Sequence, residues 1–236
     1  MRALRIFVIV AVVLGGLFVA ADRIAVGLAE DEAAEKIRNT QGLSGDPEVS
    51  IKGFPFLTQV ASQRLDEVEV KLDGATASAG GREIRVGRMS AELHDVELGS
   101  DFSSATAARA TGSAHISYAD LSKASSEGVT VGYGGKDQAG KSQVKVSAQL
   151  QLPVLGQAFR RSVVSTVSIV DGDTIRLRAE SVPGSELPGL EKVVRERIDF
   201  DRKLVGLPKG IELDKVVATP DGVDIGVTGS QVQLAG

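Results

Sequence analysis

The chain has 236 residues, 27 basic and 31 acidic side chains, a net charge of −4, and neither cysteine nor tryptophan. The lack of a basic excess gives nucleic acid no electrostatic footprint, and the lack of cysteine excludes a disulfide framework and a lipid-modified N-terminal cysteine. With aromatic residues at 4%, any large apolar surface must be built from Val, Leu, Ile and Ala.

Met1–Arg5 carries Arg2 and Arg5 and no acid, and Ile6–Ala21 then runs without a charged side chain until Asp22 and Arg23. A basic stub before an apolar run is the plan of a secretory signal. The positive-inside rule keeps the arginines in the cytoplasm and sends the rest outward. Sixteen helical residues cover about 24 Å, against a hydrocarbon core of about 30 Å. Leu4 lengthens the run, and Arg5 and Arg23 can snorkel at its ends. Phe18-Val19-Ala20-Ala21 is a poor cleavage site, and residues 22–41 continue with no proline and one glycine, Gly27. The expected organisation is a retained single-pass signal-anchor over residues 1–21 and an extracytoplasmic domain over 22–236. The alternative is a cleaved signal and a secreted protein.

Residues 22–41 predict a helix: Val26, Ala29, Ala33 and Ile37 recur three or four apart, and their small size lets the helix lie close to a sheet. Glu30-Asp31-Glu32 reads as a solvated charge run. Residues 42–47 form a turn cluster, and period two follows. Val49 and Ile51 alternate with polar neighbours, as do Val68, Val70 and Leu72, then Ile84 and Val86. Leu93, Val96 and Leu98 break step between 93 and 96, which predicts a bulge or bend. Ala114, Ile116 and Tyr118 form another set, and Val144 to Leu152 alternates cleanly. Asp171-Gly172-Asp173 and Pro220-Asp221-Gly222 each separate two alternating runs and predict hairpins. Tyr118–Ser126 predicts a short helix and Leu190–Leu204 an amphipathic one; 75–81 and 132–140 read as Gly/Ser/Ala-rich loops. The expected class is α+β: a long, curved, mostly antiparallel sheet with helices on its apolar face, preceded by one N-terminal transmembrane helix.

Chemistry-bearing patterns are sparse. His94 and His115 stand opposite apolar neighbours in strand-like stretches and read as solvent-facing. Neither a Gly-x-Ser-x-Gly elbow, a phosphate loop nor a dinucleotide fingerprint is present. Two histidines and no cysteine make a zinc site unsupported, Asp171-Gly172-Asp173 lacks the later ligands of a calcium loop, and Asp199 and Asp201 do not point the same way on a helix. The expected protein is not an enzyme and has no cofactor and no metal. The distinctive segment is Gly53–Gln59, GFPFLTQ. It reads either as a Pro-stiffened corner with its rings in the core or as an apolar lip that touches lipid.

The runs Val49–Gln59 (VSIKGFPFLTQ), Leu65–Val70 (LDEVEV), His115–Leu121 (HISYADL), Leu207–Leu213 (LPKGIEL) and Pro220–Val223 (PDGV), in that order behind an N-terminal anchor, resemble the LmeA-like phospholipid-binding envelope proteins of actinobacteria. The resemblance implies a fold like the tubular lipid-binding proteins, with the sheet wrapped around a long helix and an apolar groove between them. It also implies a phospholipid ligand, with phosphatidylinositol-type lipid among those it suggests, and a role in envelope maintenance. It supplies no catalytic residues. From apolarity and position, the expected lipid contacts are Phe54, Pro55, Phe56, Leu57, Val68, Val70, Leu121, Val194 and Ile198. The expected partners are phospholipid and membrane, with no nucleic acid and no protein partner assigned. The competing expectation is a non-enzymatic envelope scaffold or interaction domain without a lipid ligand.

Overall fold

The computed structural model describes residues 2–41, 45–79, 82–125, 127–151, 158–180, 195, 199–204 and 207–235. One unbroken helix, α1 (Arg2–Gln41), opens the chain. The apolar run that opens it is exposed throughout, with none of it buried against the rest of the protein. It is a candidate membrane anchor or signal. Beyond it the same helix becomes part of the domain: Asp22 and Val26 are buried, and Ala25 and Ala29 pack beside Val26.

The strands are β1 (Glu48–Lys52), β2 (Arg64–Ala79), β3 (Arg82–Leu98), β4 (Ala105–Ser117), β5 (Val129–Lys136), β6 (Ser142–Gln151), β7 (Ala158–Val170), β8 (Thr174–Ala179), β9 (Phe200–Lys203), β10 (Ile211–Ala218) and β11 (Gly222–Ala235). Among the described residues the short helices α2 (Phe56–Ala61) and α3 (Tyr118–Ala124) interrupt them. Every strand pairing among the described residues is antiparallel. The α+β class with a long N-terminal helix is therefore as the sequence indicates, while hydrogen bonding divides the strands into two sheets: β1-β2-β3-β4-β11-β10 and β5-β6-β7-β8-β9. The break falls at α3, whose N-cap Ser117 accepts the Asp120 N–H at 3.1 Å and turns the chain out of β4.

Alternation sets the register. Val68 stands opposite Ile51 on one side and Leu93 on the other, and Val70 opposite Val49 and Ala91. The irregularity between Leu93 and Val96 is a bend without an inserted residue. Asp95 takes a φ of +52°, yet Leu65↔Val96 and Val68↔Leu93 keep one register. The left-handed residue lets Leu93 and Val96 reach the same core. Both predicted hairpins are present, with Asp171 and Gly172 at φ +54° and +68° in one and the Thr219 N–H donating to Gly222 O in the other.

Several expectations need correction. The stretches read as loops at 75–81 and 132–140 begin as strand: Ala75 is fully buried opposite Val86, and Gly132–Lys136 completes β5. Small residues here permit close sheet packing. Phe200–Lys203, placed at the end of an amphipathic helix, is β9 paired with β8; Asp199 Oδ1 accepts the Ala179 N–H at 2.7 Å, and Asp201 pairs with Arg176 and Arg178. Most of the remainder of that predicted helix lies outside the described residues. Glu30 is not merely solvated, because its Oε1 accepts the Ile51 N–H at 2.7 Å and covers the edge of β1. His115 is largely buried and its Nδ1 lies 2.6 Å from Asp224 Oδ1 across the β4–β11 pair.

Two apolar clusters hold these layers. One joins α1, α2 and the first sheet through Val26, Phe56, Leu65, Val96 and Ala107. The other lies between the sheets and contains Val144, Val146, Val163, Leu177 and Ala179 from one, and Ala218 and Val223 from the other.

Candidate functional site

The segment Gly53–Gln59 folds into a corner between β1 and α2, with a cis Phe54–Pro55 peptide. Gly53 takes φ +95°, and a Cβ there would meet the Gln59 side-chain nitrogen at 2.5 Å and Asp66 Oδ2 at 2.8 Å. Only glycine satisfies both the angle and the space. The buried Gln59 explains the crowding. Its Nε2 donates to Lys52 O at 3.2 Å and its Oε1 accepts the Asp66 N–H at 2.8 Å, fastening the end of β1 to the start of β2. Thr58 Oγ1 donates to Pro55 O at 2.8 Å.

The first turn of α2 has no capping side chain of its own. The cap comes from α1: Asp22 Oδ1 accepts the Leu57 N–H at 2.8 Å, Phe56 N–H adds a second backbone contact, and Asp22 Oδ2 accepts from Arg23 at 2.7 Å. Asp22 is completely buried although it is the first charge after the apolar run. A charge that ends the candidate anchor thus also ties it to the domain.

Beside this junction is an apolar cleft of about 340 Å³ lined by Ala29, Ile51, Phe56, Val60, Leu65, Leu98 and Phe102. Every lining side chain is hydrocarbon, so the cleft offers no hydrogen bond and no titratable group. Its walls come from α1, β1, α2, β2 and β3, and Phe102 overhangs it from the loop before β4, 54% exposed at φ +57°. The α1 wall of the cleft is Ala29, a small side chain where the helix packs beside β1 and α2.

The expected lipid contacts do not converge on one place. Phe56 lines the cleft, and Leu57 and Val68 pack in the same cluster. Val70 sits farther along β2, half-buried opposite Val49. Pro55 is half-buried at the corner. Phe54 turns outward, 57% exposed, with the Arg23 guanidinium 5.2 Å from its ring centre. Leu121 belongs to the other cluster, against which it packs from α3 with Tyr118. There the Tyr118 hydroxyl donates to Thr219 O at 2.7 Å, and burial raises its pKa to about 12. Val194 and Ile198 lie outside the described residues. Of the lining residues the sequence singled out Phe56 as a lipid contact, and not Ala29, Ile51, Val60, Leu65, Leu98 or Phe102. Phe102 carried a signal, as a lone ring in the otherwise polar turn Gly99–Ser104. Among the described residues, no three His, Asp or Glu side chains group in a way that could hold a metal ion.

Comparison with known proteins gives one finding. The LmeA-like phospholipid-binding family matches residues 20–228, which is most of the chain, and the chain belongs to that family. No curated protein matches, and no solved structure does.

Proposed function

We propose that this member of the LmeA-like phospholipid-binding family is a membrane-anchored, non-enzymatic lipid holder. It takes one acyl chain of a phospholipid into the cleft beside α1 and holds or shuttles that lipid on the outer side of the membrane for envelope maintenance. The observation that carries the reading is the cleft itself: wholly apolar, walled by the anchor helix, and in a chain whose family binds phospholipid. Its volume of about 340 Å³ stands at the low end for ligand pockets, which suits a single chain and leaves the head-group outside. Any preference for phosphatidylinositol-type or other head-groups then arises at the rim.

The energetics suit exchange. Removing a sixteen-carbon chain from water is worth on the order of 12 kcal/mol at roughly 0.8 kcal/mol per methylene. Bilayer and cleft are both hydrocarbon, so transfer between them is nearly balanced and requires no energy source. Hydrolysis or group transfer would require a nucleophile or a general acid at the chain, and the lining supplies neither. The test is to purify residues 22–236, analyse organic extracts by mass spectrometry, and offer labelled phospholipid in vesicles. Stoichiometric phospholipid is expected. Protein that is consistently lipid-free and takes up no label would overturn the reading in favour of an interaction domain.

A further inference from the structure

Phe54 is the apolar side chain of the Gly53–Gln59 corner that the fold leaves unpacked. Phe56 and Leu57 enter the core, while Phe54 is 57% exposed. Isolated exposed apolar residues are ordinary on soluble surfaces, but this one is fixed at a particular level. The completely buried Asp22 binds the Leu57 N–H, so the corner cannot move away from the residue at which the apolar run of α1 ends. Arg23, half-exposed, touches both partners: its guanidinium bonds the Asp22 carboxylate and lies 5.2 Å from the Phe54 ring centre.

The length of the apolar run says what surrounds that level. Ile6–Ala21 covers about 24 Å and a bilayer core needs about 30 Å, a shortfall of roughly four residues. Ile24 and Leu28, each 66% exposed and one turn apart, continue the apolar character along one face of α1 before Asp31 and Glu35 end it. Phe54 and the Arg23 guanidinium occupy the same height. An aromatic ring beside an arginine is the pairing that suits the boundary between hydrocarbon and phosphate: the ring enters the interface, and the planar cation meets phosphate oxygens.

We propose that Phe54 and Arg23 form a membrane-contact site that seats the β1–α2 corner in the head-group layer of the bilayer crossed by α1. The proposal rests on the anchored reading above and adds an orientation to it. Ala29, the α1 wall of the cleft, lies seven residues beyond Asp22, about 10 Å along the helix. The cleft therefore stands just outside the head-groups, within the length of an acyl chain.

The absence of native cysteine makes a single introduced one the only point of attachment for a nitroxide. Full-length protein carrying Phe54→Cys, Val12→Cys, Met89→Cys or Tyr133→Cys is spin-labelled and reconstituted into phosphatidylcholine vesicles. Collision rates with oxygen, which enriches in the bilayer, and with a nickel chelate, which stays in water, are compared at each site. The oxygen-to-nickel ratio at 54 is expected to exceed that at 89 and 133 several-fold and to approach that at 12. A ratio at 54 equal to those at 89 and 133, with 12 reading as bilayer, overturns the contact and leaves the anchor standing. A water-like reading at 12 overturns both. Lipid extraction of each labelled protein before it is reconstituted keeps the two ideas apart. Bilayer contact at 54 in protein that carries no phospholipid retains this site and removes the holder function; loaded protein with a water-like 54 does the reverse.

Discussion

The two apolar clusters are both built mainly from Val, Leu and Ala, with Phe56 added in one, and end in opposite conditions. Between the sheets, Val144, Val146, Val163, Leu177, Ala179, Ala218 and Val223 close on one another, and Tyr118 shuts one side with a hydroxyl satisfied by Thr219. Beside α1, Val26, Phe56, Leu65, Val96 and Ala107 leave a cleft open. Two pleated faces carry side chains at matched spacing and interdigitate. A helix laid beside an edge strand fills the gap only if its facing residues are large, and the α1 residue that faces the cleft is Ala29. Composition is thus silent on groove against core; the difference lies in which kind of element provides the second wall.

Mutations can break or sharpen that contrast. The largest effect is expected at Phe56, which is 6% exposed: Phe56→Ala should cost about 3–5 kcal/mol in denaturant unfolding. Phe54→Ala, two residues away, should stay within about 0.5 kcal/mol. Equal losses would mean that the corner is packed as a unit.

A matched pair of insertions comes next. Ala218→Leu in the closed cluster should cost about 1–3 kcal/mol from overpacking. Ala29→Leu should leave the melting temperature near that of the parent and reduce phospholipid recovered in extracts, because the added carbons enter the cleft. A comparable loss of stability at both positions would deny that the cleft is open.

Asp22→Asn is expected to loosen the first turn of α2, read as faster amide exchange at Phe56 and Leu57 with the exchange of β6 and β7 unchanged. A smaller change, and a gain, is expected at Ser165, a fully buried hydroxyl with no partner among the described residues. Ser165→Ala should stabilise by about 1 kcal/mol, since an unsatisfied buried group carries a desolvation cost of about 1–3 kcal/mol.

The smallest effect concerns acid. The Arg176 guanidinium, bonded at 2.8 and 3.0 Å, holds the Asp201 carboxyl below its ordinary value of 3.8. A depressed carboxylate pKa contributes stability above the ordinary value and loses it as pH falls through the folded one. Arg176→Ala should therefore unfold more readily than the parent at neutral pH, and the gap should close below about pH 3.8.

Much of this architecture is legible from side-chain periodicity alone. Strands β2, β3, β4, β6 and β7, both hairpins and the bend at Asp95 follow from alternation and turn chemistry, which are local. What could not be read depends on partners far apart in sequence. The division into two sheets rests on β11 returning to β4, where Val223 faces Ile116. The six residues of α2 are too few to show a helical period, and Pro55 before them reads equally well as a strand end. Asp22 and Glu30 look like solvated charges until the backbone groups they bind are placed beside them. In the candidate site, Phe56 and Leu57 were legible as apolar residues of the Gly53–Gln59 segment and Val68 as part of the alternating run of β2, while their meeting in one cluster is a matter of tertiary packing. The cleft itself could not be seen, since it is defined by small side chains that any scan for apolar contacts passes over.

The unbroken course of α1 has a kinetic meaning. A flexible linker would dilute its cargo site through a sphere of solvent, and its effective concentration at the membrane would fall with linker length. In the anchored arrangement proposed above, the helix that meets the bilayer would also be a wall of the cleft. The site would then be confined to a thin layer at a nearly constant height, and encounter with lipid would become a two-dimensional search by lateral diffusion. In such an arrangement the rate of loading is set by how often a lipid chain leaves its leaflet, and hardly by how many copies of the protein are present.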